Sequence, residues 1–180
     1  MADLCTLVVS GAPLARRAPD IVRSLALSSW TVKVVLTPAA RSWVDETELQ
    51  RIAGEAVRSQ HRTPDTPKDQ RRSRLVIVAP ATFNTVGKLA NGIADTLAHS
   101  ALCEALGEGV PILAVPMVND RLWGHIAWPA NLARLTDAGV HWLNVADGQL
   151  GTPQMVQSGT GEQLVDSFDP AWILSAAQAL

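Results

Sequence analysis

Several apolar segments of this chain are immediately followed by residues that could bind an anion. Apart from Ala12, which follows Gly11 in the first turn, they are hydroxyl, amide and glycine residues, the types that favour turns and helix N-termini. At such a turn the free backbone N–H groups and the helix dipole attract a phosphate. The alternative is an ordinary strand–helix turn in which these side chains only cap the helix. The candidates are Ser10, Gly11, Ala12, Thr37, Thr82, Asn84, Thr85 and Asn119.

The segments before these turns have the length and composition of buried strands. We predict strands over residues 6–10, 32–36, 75–79, 112–115 and 140–145. Pro80 is expected to end the third strand and Pro116 the fourth, because proline donates nothing to a sheet ladder. Apolar residues recur at helical spacing from Val86 to Leu102, which predicts a helix there. Helices are also predicted over 18–27 and, after Asp169-Pro170, over 170–180.

Alternating strands and helices predict an α/β fold. We expect a three-layer, Rossmann-like (flavodoxin-like) parallel sheet with helices on both faces, formed by residues 1–180 as a single domain. Ligands bind such sheets at the carboxyl ends of the strands, where the strand order reverses. The polar turns would then share one edge. Residues 146–165 show little periodicity and are rich in turn formers, which favours a flexible flap or hairpin.

Two motifs resemble one protein family. Pro80-Ala81-Thr82-Phe83-Asn84-Thr85, followed by KLANGIAD, is similar to the proline-alanine-serine-alanine-asparagine-threonine motif of the homo-oligomeric flavin-containing cysteine decarboxylases. That superfamily includes phosphopantothenoylcysteine and lantibiotic peptide decarboxylases. The second segment, PMVNDRLW from Pro116 to Trp123, resembles the family's Pro-x-Met-Asn-x-x-Met-Trp block. The resemblance covers roughly residues 4–142.

The resemblance implies an FMN cofactor and oxidative decarboxylation of a small-molecule or peptide carboxylate derived from cysteine. The flavin would oxidise the Cα–Cβ–S unit, and the thioaldehyde formed would lose CO2. Asn84 would orient the reacting group and Asn119 would bind the substrate carboxylate. It also implies a homotrimer or a multiple of it, for which we expect Trp123 or Trp128 near a subunit contact. The implied cofactor-binding residues are Ser10, Gly11, Ala12, Thr37, Thr82, Phe83, Asn84, Thr85 and Met117.

One departure from the family bears on catalysis. The family carries a catalytic histidine at the position of Thr66, and the nearest histidine here is His61, five residues upstream. Unless a shifted loop brings His61 to the site, we expect weak cysteine decarboxylation, because a histidine suits proton transfer near neutral pH. The alternative is an FMN-binding flavoprotein with a different redox role or no catalytic role. A flavin prenyltransferase would share the sheet, but the turn at Pro80 does not support it.

The segment 58–74 holds six of the chain's 15 Lys and Arg residues. It is interpreted as a solvated loop, a basic rim that attracts an anion, or a nucleic-acid patch. The last reading has least support, because no aromatic residue is interleaved with the charges. A net charge of −2 gives no reason to expect nucleic-acid binding.

The remaining composition indicates a soluble protein. No run approaches the 18 apolar residues of a membrane helix, so no membrane interaction is predicted. MADLCTLVVSG lacks a basic start and is interpreted as a first strand rather than a signal peptide. Cys5 and Cys103 are expected to be free thiols in a reducing cytoplasm. No metal site is predicted.

Overall fold

Five parallel strands form the centre of the computed structural model, which describes residues 3–67 and 69–180. The order is β2-β1-β3-β4-β5, so it reverses between β1 and β3. Apolar residues, many of them β-branched, bury the strands on both faces, as expected for a parallel sheet. The predicted Rossmann-like fold is confirmed. The strands are β1 (Asp3–Val9), β2 (Trp30–Leu36), β3 (Leu75–Ala81), β4 (Ile112–Pro116) and β5 (Val140–Trp142).

Helices cover both faces of the sheet. Leu7 and Val9 point to one apolar cluster and Val8 to the other, following the two-residue repeat of a strand. The first cluster is closed by α1 (Ala18–Leu27), α2 (Glu46–Ala53), α7 (Gly161–Ser167) and α8 (Ala171–Gln178). The second is closed by α3 (Phe83–Ala90), α4 (Leu97–Gly107) and α6 (Trp128–Asp137). Shorter elements are two 3-10 helices, Pro13–Arg17 and Pro38–Ser42, and α5 (Asp120–Trp123).

Pro80 does not end β3, so that prediction was wrong, whereas Pro116 is the last residue of β4, as predicted for the end of the fourth strand. β3 continues through Pro80, which follows a cis peptide bond, and its pairing with β4 resumes at Ala81 opposite Pro116. The register shifts between Val78 and Ala81, so the missing N–H of Pro80 falls where the ladder is already irregular. The strand therefore delivers Thr82 to the edge of the sheet.

The helix predicted from Val86 to Leu102 is two helices. α3 ends before Asn91 and Gly92, and Gly92 has a φ of 66°, a left-handed conformation that suits glycine. Thr96 caps the next helix by accepting a hydrogen bond from the backbone N–H of His99 at 3.2 Å. The apolar spacing runs across the break because both helices pack against the same cluster.

The C-terminal third departs from the prediction in the end of its strand and in an unpredicted helix, α7, which begins within the segment 146–165 predicted as a flap or hairpin. β5 stops at Trp142, and Leu143 pairs antiparallel with Leu150, which closes a turn over residues 144–149. α7 occupies residues 161–167, and the predicted C-terminal helix is present as α8. Pro129 lies in the first turn of α6. The N–H groups of a first turn have no acceptor within the helix, so a proline there breaks no helical hydrogen bond. Within the described residues, no helix has the length and apolar character needed to cross a membrane.

Candidate functional site

A cavity of about 790 Å³ lies at the carboxyl edge of the sheet, beside the point where the strand order reverses. The turns that follow β1, β2, β3 and β4 all contribute to its wall, and so does the segment 156–162. Of the residues predicted for the site, those that line it are Gly11, Ala12, Thr37, Thr82, Phe83, Asn84, Thr85, Met117 and Asn119. Ser10 and His61 lie outside the lining.

Ser10 supports the wall from behind. Its hydroxyl is buried and lies 2.8 Å from the hydroxyl of Thr85. Thr82 in turn donates to the Thr85 hydroxyl at 3.2 Å and accepts from the Thr85 N–H at 3.3 Å, so it caps α3. This chain of three hydroxyls ties the turn after β1 to the start of α3. The packing of both turns, rather than contact with the cavity, explains the polar type at Ser10.

Thr37 carries a buried hydroxyl with unused capacity. The residue is 5% exposed, and its Oγ1 has no hydrogen-bond partner within the described part of the chain. It starts the 3-10 helix Pro38–Ser42 without a side-chain cap, so the capping alternative does not apply. A buried polar atom without a partner costs about 1–3 kcal/mol. A ligand that satisfied Oγ1 in this cavity would recover that cost.

Among the described residues, the side-chain amide of Asn119 is hydrogen-bonded through its oxygen only. Its Oδ1 accepts from the N–H of Leu122 at 3.0 Å and thereby caps α5, while the side chain is exposed at the cavity. The Nδ2 group remains able to donate to an anion. Asn84 is exposed in the first turn of α3 and also faces the cavity wall. Met117 is buried, and its sulfur accepts from the N–H of Leu14 at 3.4 Å, which ties β4 to the first 3-10 helix.

Phe83 belongs to an aromatic cluster at one end of the cavity. Its ring stacks on Trp128 with a centroid distance of 5.5 Å and an interplanar angle of 25°. His125 meets Phe83 edge-on at 5.4 Å, and Trp123 lies 5.1 Å from Trp128. Trp128 is 1% exposed, so its ring is covered by residues of the same chain. These contacts fix the Phe83 side chain at the cavity wall.

The loop after α2 keeps its candidates away from this cavity. His61 and Thr66 are exposed, and the Thr66 hydroxyl lies 2.8 Å from that of Thr63. The catalytic role of His61 stays a prediction. Lys68 lies outside the described residues.

The basic segment 58–74 is partly neutralised by its own surroundings. Arg71 pairs with Glu55 and Asp69, and Arg74 pairs with Asp3. Hydrogen bonds from Arg71 and Lys33 hold the pKa of Asp69 well below its usual range. The ion pairs of Arg71 line a second cavity of about 610 Å³. The basic residues of the segment that the structure describes do not line the first cavity.

Sequence reasoning missed a cluster of three polar residues: Lys88 on α3, His99 on α4 and Asp95 between the two helices. His99 is 2% exposed and lines the cavity, and its Nδ1 lies 3.1 Å from Asp95 Oδ1 and 2.8 Å from Thr96 Oγ1. Lys88 Nζ lies 2.6 Å from the other oxygen of Asp95. Burial, followed by the positive charge of Lys88, lowers the pKa of His99. The available signal was the spacing of Asp95 and His99, one helical turn apart at the start of a helix.

The family model for flavoproteins matches residues 4–167 of this sequence. The chain belongs to the Flavoprotein family. This membership confirms the resemblance drawn from the motifs at Pro80 and Pro116 and supports the predicted flavin cofactor.

Curated relatives of this flavoprotein include the coenzyme A biosynthesis bifunctional protein CoaBC of Bacillus subtilis (strain 168). It is 31% identical over 155 residues, which are 80% of this chain and 36% of the relative. A probable phosphopantothenoylcysteine decarboxylase of Streptococcus mutans is 30% identical over 139 residues, 74% of this chain and 77% of the relative. The chain thus spans about a third of the length of the bifunctional relatives.

Solved structures share the fold across the whole chain. A PPC decarboxylase mutant complexed with pantothenoylaminoethenethiol aligns with a TM-score of 0.73 and 18% identity, covering 99% of this flavoprotein and 98% of that chain. The FMN-dependent cysteine decarboxylase SpaF aligns with a TM-score of 0.70 and 20% identity, covering 97% of each chain. A dodecameric FMN-dependent Ubix-like decarboxylase from Escherichia coli O157:H7 aligns with a TM-score of 0.71 and 18% identity, covering 97% of this flavoprotein and 94% of that chain.

Proposed function

We propose that this flavoprotein binds FMN in the cavity at the carboxyl edge of its sheet and decarboxylates a cysteine-derived carboxylate. The substrate would be a small molecule or the C-terminus of a peptide. The observation that carries the proposal is the buried Thr37 hydroxyl, which has no partner in the described chain and lies in the wall of a cavity built from four strand-end turns. A phosphate-bearing cofactor supplies the acceptor oxygen that this hydroxyl lacks.

The residues present suit such a cofactor. Gly11 and Ala12 form the cavity wall at the turn after β1, and the first turn of α3 offers backbone N–H groups beside the Thr82 hydroxyl. Met117 offers an apolar, polarisable wall for a flat ring system. Bound FMN would supply the oxidant for the carbon–sulfur unit of the substrate.

Two amides would position the substrate. The free Nδ2 of Asn119 donates to the substrate carboxylate, while its Oδ1 remains bonded to the N–H of Leu122 and keeps the side chain oriented. Asn84 faces the same cavity from the start of α3 and orients the reacting group. An amide that holds a carboxylate without protonating it keeps the group ionised, so neutral CO2 can leave while the electron pair of the broken C–C bond passes to the thioaldehyde.

A second candidate function is FMN binding without cysteine decarboxylation. The resemblance places Thr66 where the family carries its histidine, and His61 is exposed outside the cavity lining. Both observations favour a cofactor site that serves another redox role or none. It requires the same turns and no base from that loop.

Purified protein is expected to be yellow, or to become yellow on reconstitution with FMN, and to change the mass of a cysteine-ended peptide. The expected change is about −46, the loss of CO2 and two hydrogens. Absorption spectroscopy and mass spectrometry measure the two results, with a serine-ended peptide as the matched control. A colourless protein that takes up no FMN contradicts both candidate functions. FMN binding without a mass change on cysteine-ended peptides or on phosphopantothenoylcysteine favours the second.

The proposal includes a homotrimer or a multiple of it. Leu122 is 43% exposed and Ile126 is 93% exposed, and both flank the half-buried Trp123 beside the aromatic cluster. Large apolar side chains of this kind are enriched in the cores of subunit interfaces. The dodecameric neighbour has the same fold.

We also propose that the protein works in the cytoplasm. In that reducing compartment the free thiols Cys5 and Cys103 stay reduced.

Ile126→Glu is expected to shift the assembly to monomers, because a carboxylate buried in an apolar contact is strongly unfavourable. Light scattering coupled to size exclusion measures the mass of wild type and variant. Leu27→Glu is the matched control, since Leu27 is 88% exposed on the distant end of α1. A wild type that is monomeric with FMN bound contradicts the trimer, and an Ile126→Glu variant that stays assembled contradicts the location of the contact.

A further inference from the structure

His99 presents an unused ring nitrogen in a buried position of the cavity wall. Its Nε2 is buried and has no hydrogen-bond partner among residues 3–67 and 69–180. The ring is 2% exposed, and His99 belongs to the lining of the same cavity as Thr37 and Asn119. A polar atom buried in this way costs about 1–3 kcal/mol unless a ligand satisfies it. A second residue of the cavity lining therefore carries a buried polar atom without a partner, and this residue can move a proton.

The other ring nitrogen decides what Nε2 can do. Nδ1 lies 2.8 Å from Thr96 Oγ1 and 3.1 Å from Asp95 Oδ1. A hydroxyl can donate or accept but a carboxylate can only accept, so the two contacts together favour the tautomer with the proton on Nδ1. Nε2 then holds a lone pair. Lys88 fixes Asp95 from the other side through its contact with Oδ2 at 2.6 Å. Burial and Lys88 lower the pKa of His99, and the ring is therefore neutral at pH 7, with Nε2 free to accept a proton.

The other histidines are placed less well. His61 is exposed in the loop after α2 and lies outside the cavity lining. His125 packs edge-on against Phe83, and its Nδ1 accepts the N–H of Ala127 at 3.1 Å. His141 is exposed on β5. Of the histidines in the described ranges, His99 is the one that lines the cavity.

We propose that His99 is the base of this site and takes the proton of the substrate thiol. The inference rests on the proposed function, since it needs a thiol substrate in this cavity. The S–H bond breaks and the electron pair stays on sulfur, while a new N–H bond forms at Nε2. The products of the step are a thiolate and an imidazolium whose Nδ1–H is held by Asp95. Weak turnover was expected because Thr66 stands where the family carries its histidine. A base elsewhere in the cavity removes that reason.

The first test compares His99→Gln with His141→Gln, a matched exposed control outside the cavity. Glutamine keeps a polar side chain of similar reach but cannot take up a proton at neutral pH. We expect kcat on a cysteine-ended peptide to fall by about 10²-fold or more in His99→Gln. KM, the FMN content and the melting temperature should change little, and His141→Gln should behave as wild type. A His99→Gln variant that retains full kcat overturns the proposal.

The second test uses only the wild-type protein, so it depends neither on turnover nor on the folding of a variant. In the FMN-loaded wild type, the ¹⁵N resonance of His99 Nε2 is followed by NMR while an unreactive serine-ended peptide is added. The hydroxyl stands in for the thiol and donates to Nε2, so the resonance should shift; an alanine-ended peptide should leave it unchanged. Equal responses to both peptides, or no response to either, overturn the role of His99. If cysteine-ended peptides are not turned over but Nε2 responds to serine, the proposed function fails and the placement of His99 is supported.

Discussion

Gly11→Ala is expected to abolish FMN uptake and to lower the free energy of unfolding by about 1–3 kcal/mol. A Cβ at residue 11 would lie 2.8 Å from the carbonyl carbon and oxygen of Ala39, and backbone cannot rotate away as a side chain can. The turn after β1 and the 3-10 helix Pro38–Ser42 must then separate. Both form the cavity wall, and Thr37 begins that 3-10 helix, so the separation disrupts the cofactor site.

The control for Gly11→Ala is Gly87→Ala in the middle of α3. There a Cβ would meet Asn131 Nδ2 at 3.7 Å, an ordinary contact, and alanine stabilises a helix interior by roughly 0.5–1 kcal/mol relative to glycine. We expect Gly87→Ala to bind FMN normally and to unfold at an equal or higher denaturant concentration. Denaturant titrations and flavin fluorescence measure both variants. A Gly11→Ala protein that binds FMN like wild type contradicts the close packing of the two turns.

Thr37→Val is expected to have opposite effects on stability and on binding. In the FMN-free protein it removes a buried hydroxyl that has no partner in the described chain, so the free energy of unfolding should rise by about 1 kcal/mol. FMN affinity should fall by about 10- to 100-fold, because a hydrogen bond to a charged phosphate contributes about 1.5–3 kcal/mol. Valine has nearly the same shape as threonine, so packing changes little.

The control for Thr37→Val is Thr85→Val, which removes a hydroxyl that is already paired. It leaves the buried Ser10 hydroxyl without its partner at 2.8 Å and deprives Thr82 of its acceptor. The FMN-free protein should lose about 1–3 kcal/mol of stability, the reverse of Thr37→Val. Thermal unfolding of apoprotein and fluorescence titration with FMN separate the two effects. If Thr37→Val destabilises the apoprotein as Thr85→Val does, the Thr37 hydroxyl has a structural partner and our reading of it is wrong.

The sequence by itself determined the features that depend on neighbouring residues. Buried strands, the polar turns that follow them and α1 were readable because strand length, side-chain type and helical spacing act within one element. The motifs at Pro80 and Pro116 led to the correct family. Local periodicity also misled: it ran through Gly92 and joined α3 to α4, because both helices pack on the same apolar cluster.

Only the tertiary structure decided which polar side chains are free to meet a ligand. Ser10 and Thr85 are 75 positions apart, and their hydroxyls pair with each other. Thr37, which has the same local pattern, is left unpartnered within the described residues. His99 becomes part of the cavity because α4 starts beside α3, where Asp95 orients its ring. Hydrogen-bond satisfaction depends on contacts between distant segments, and spacing along one segment does not report it.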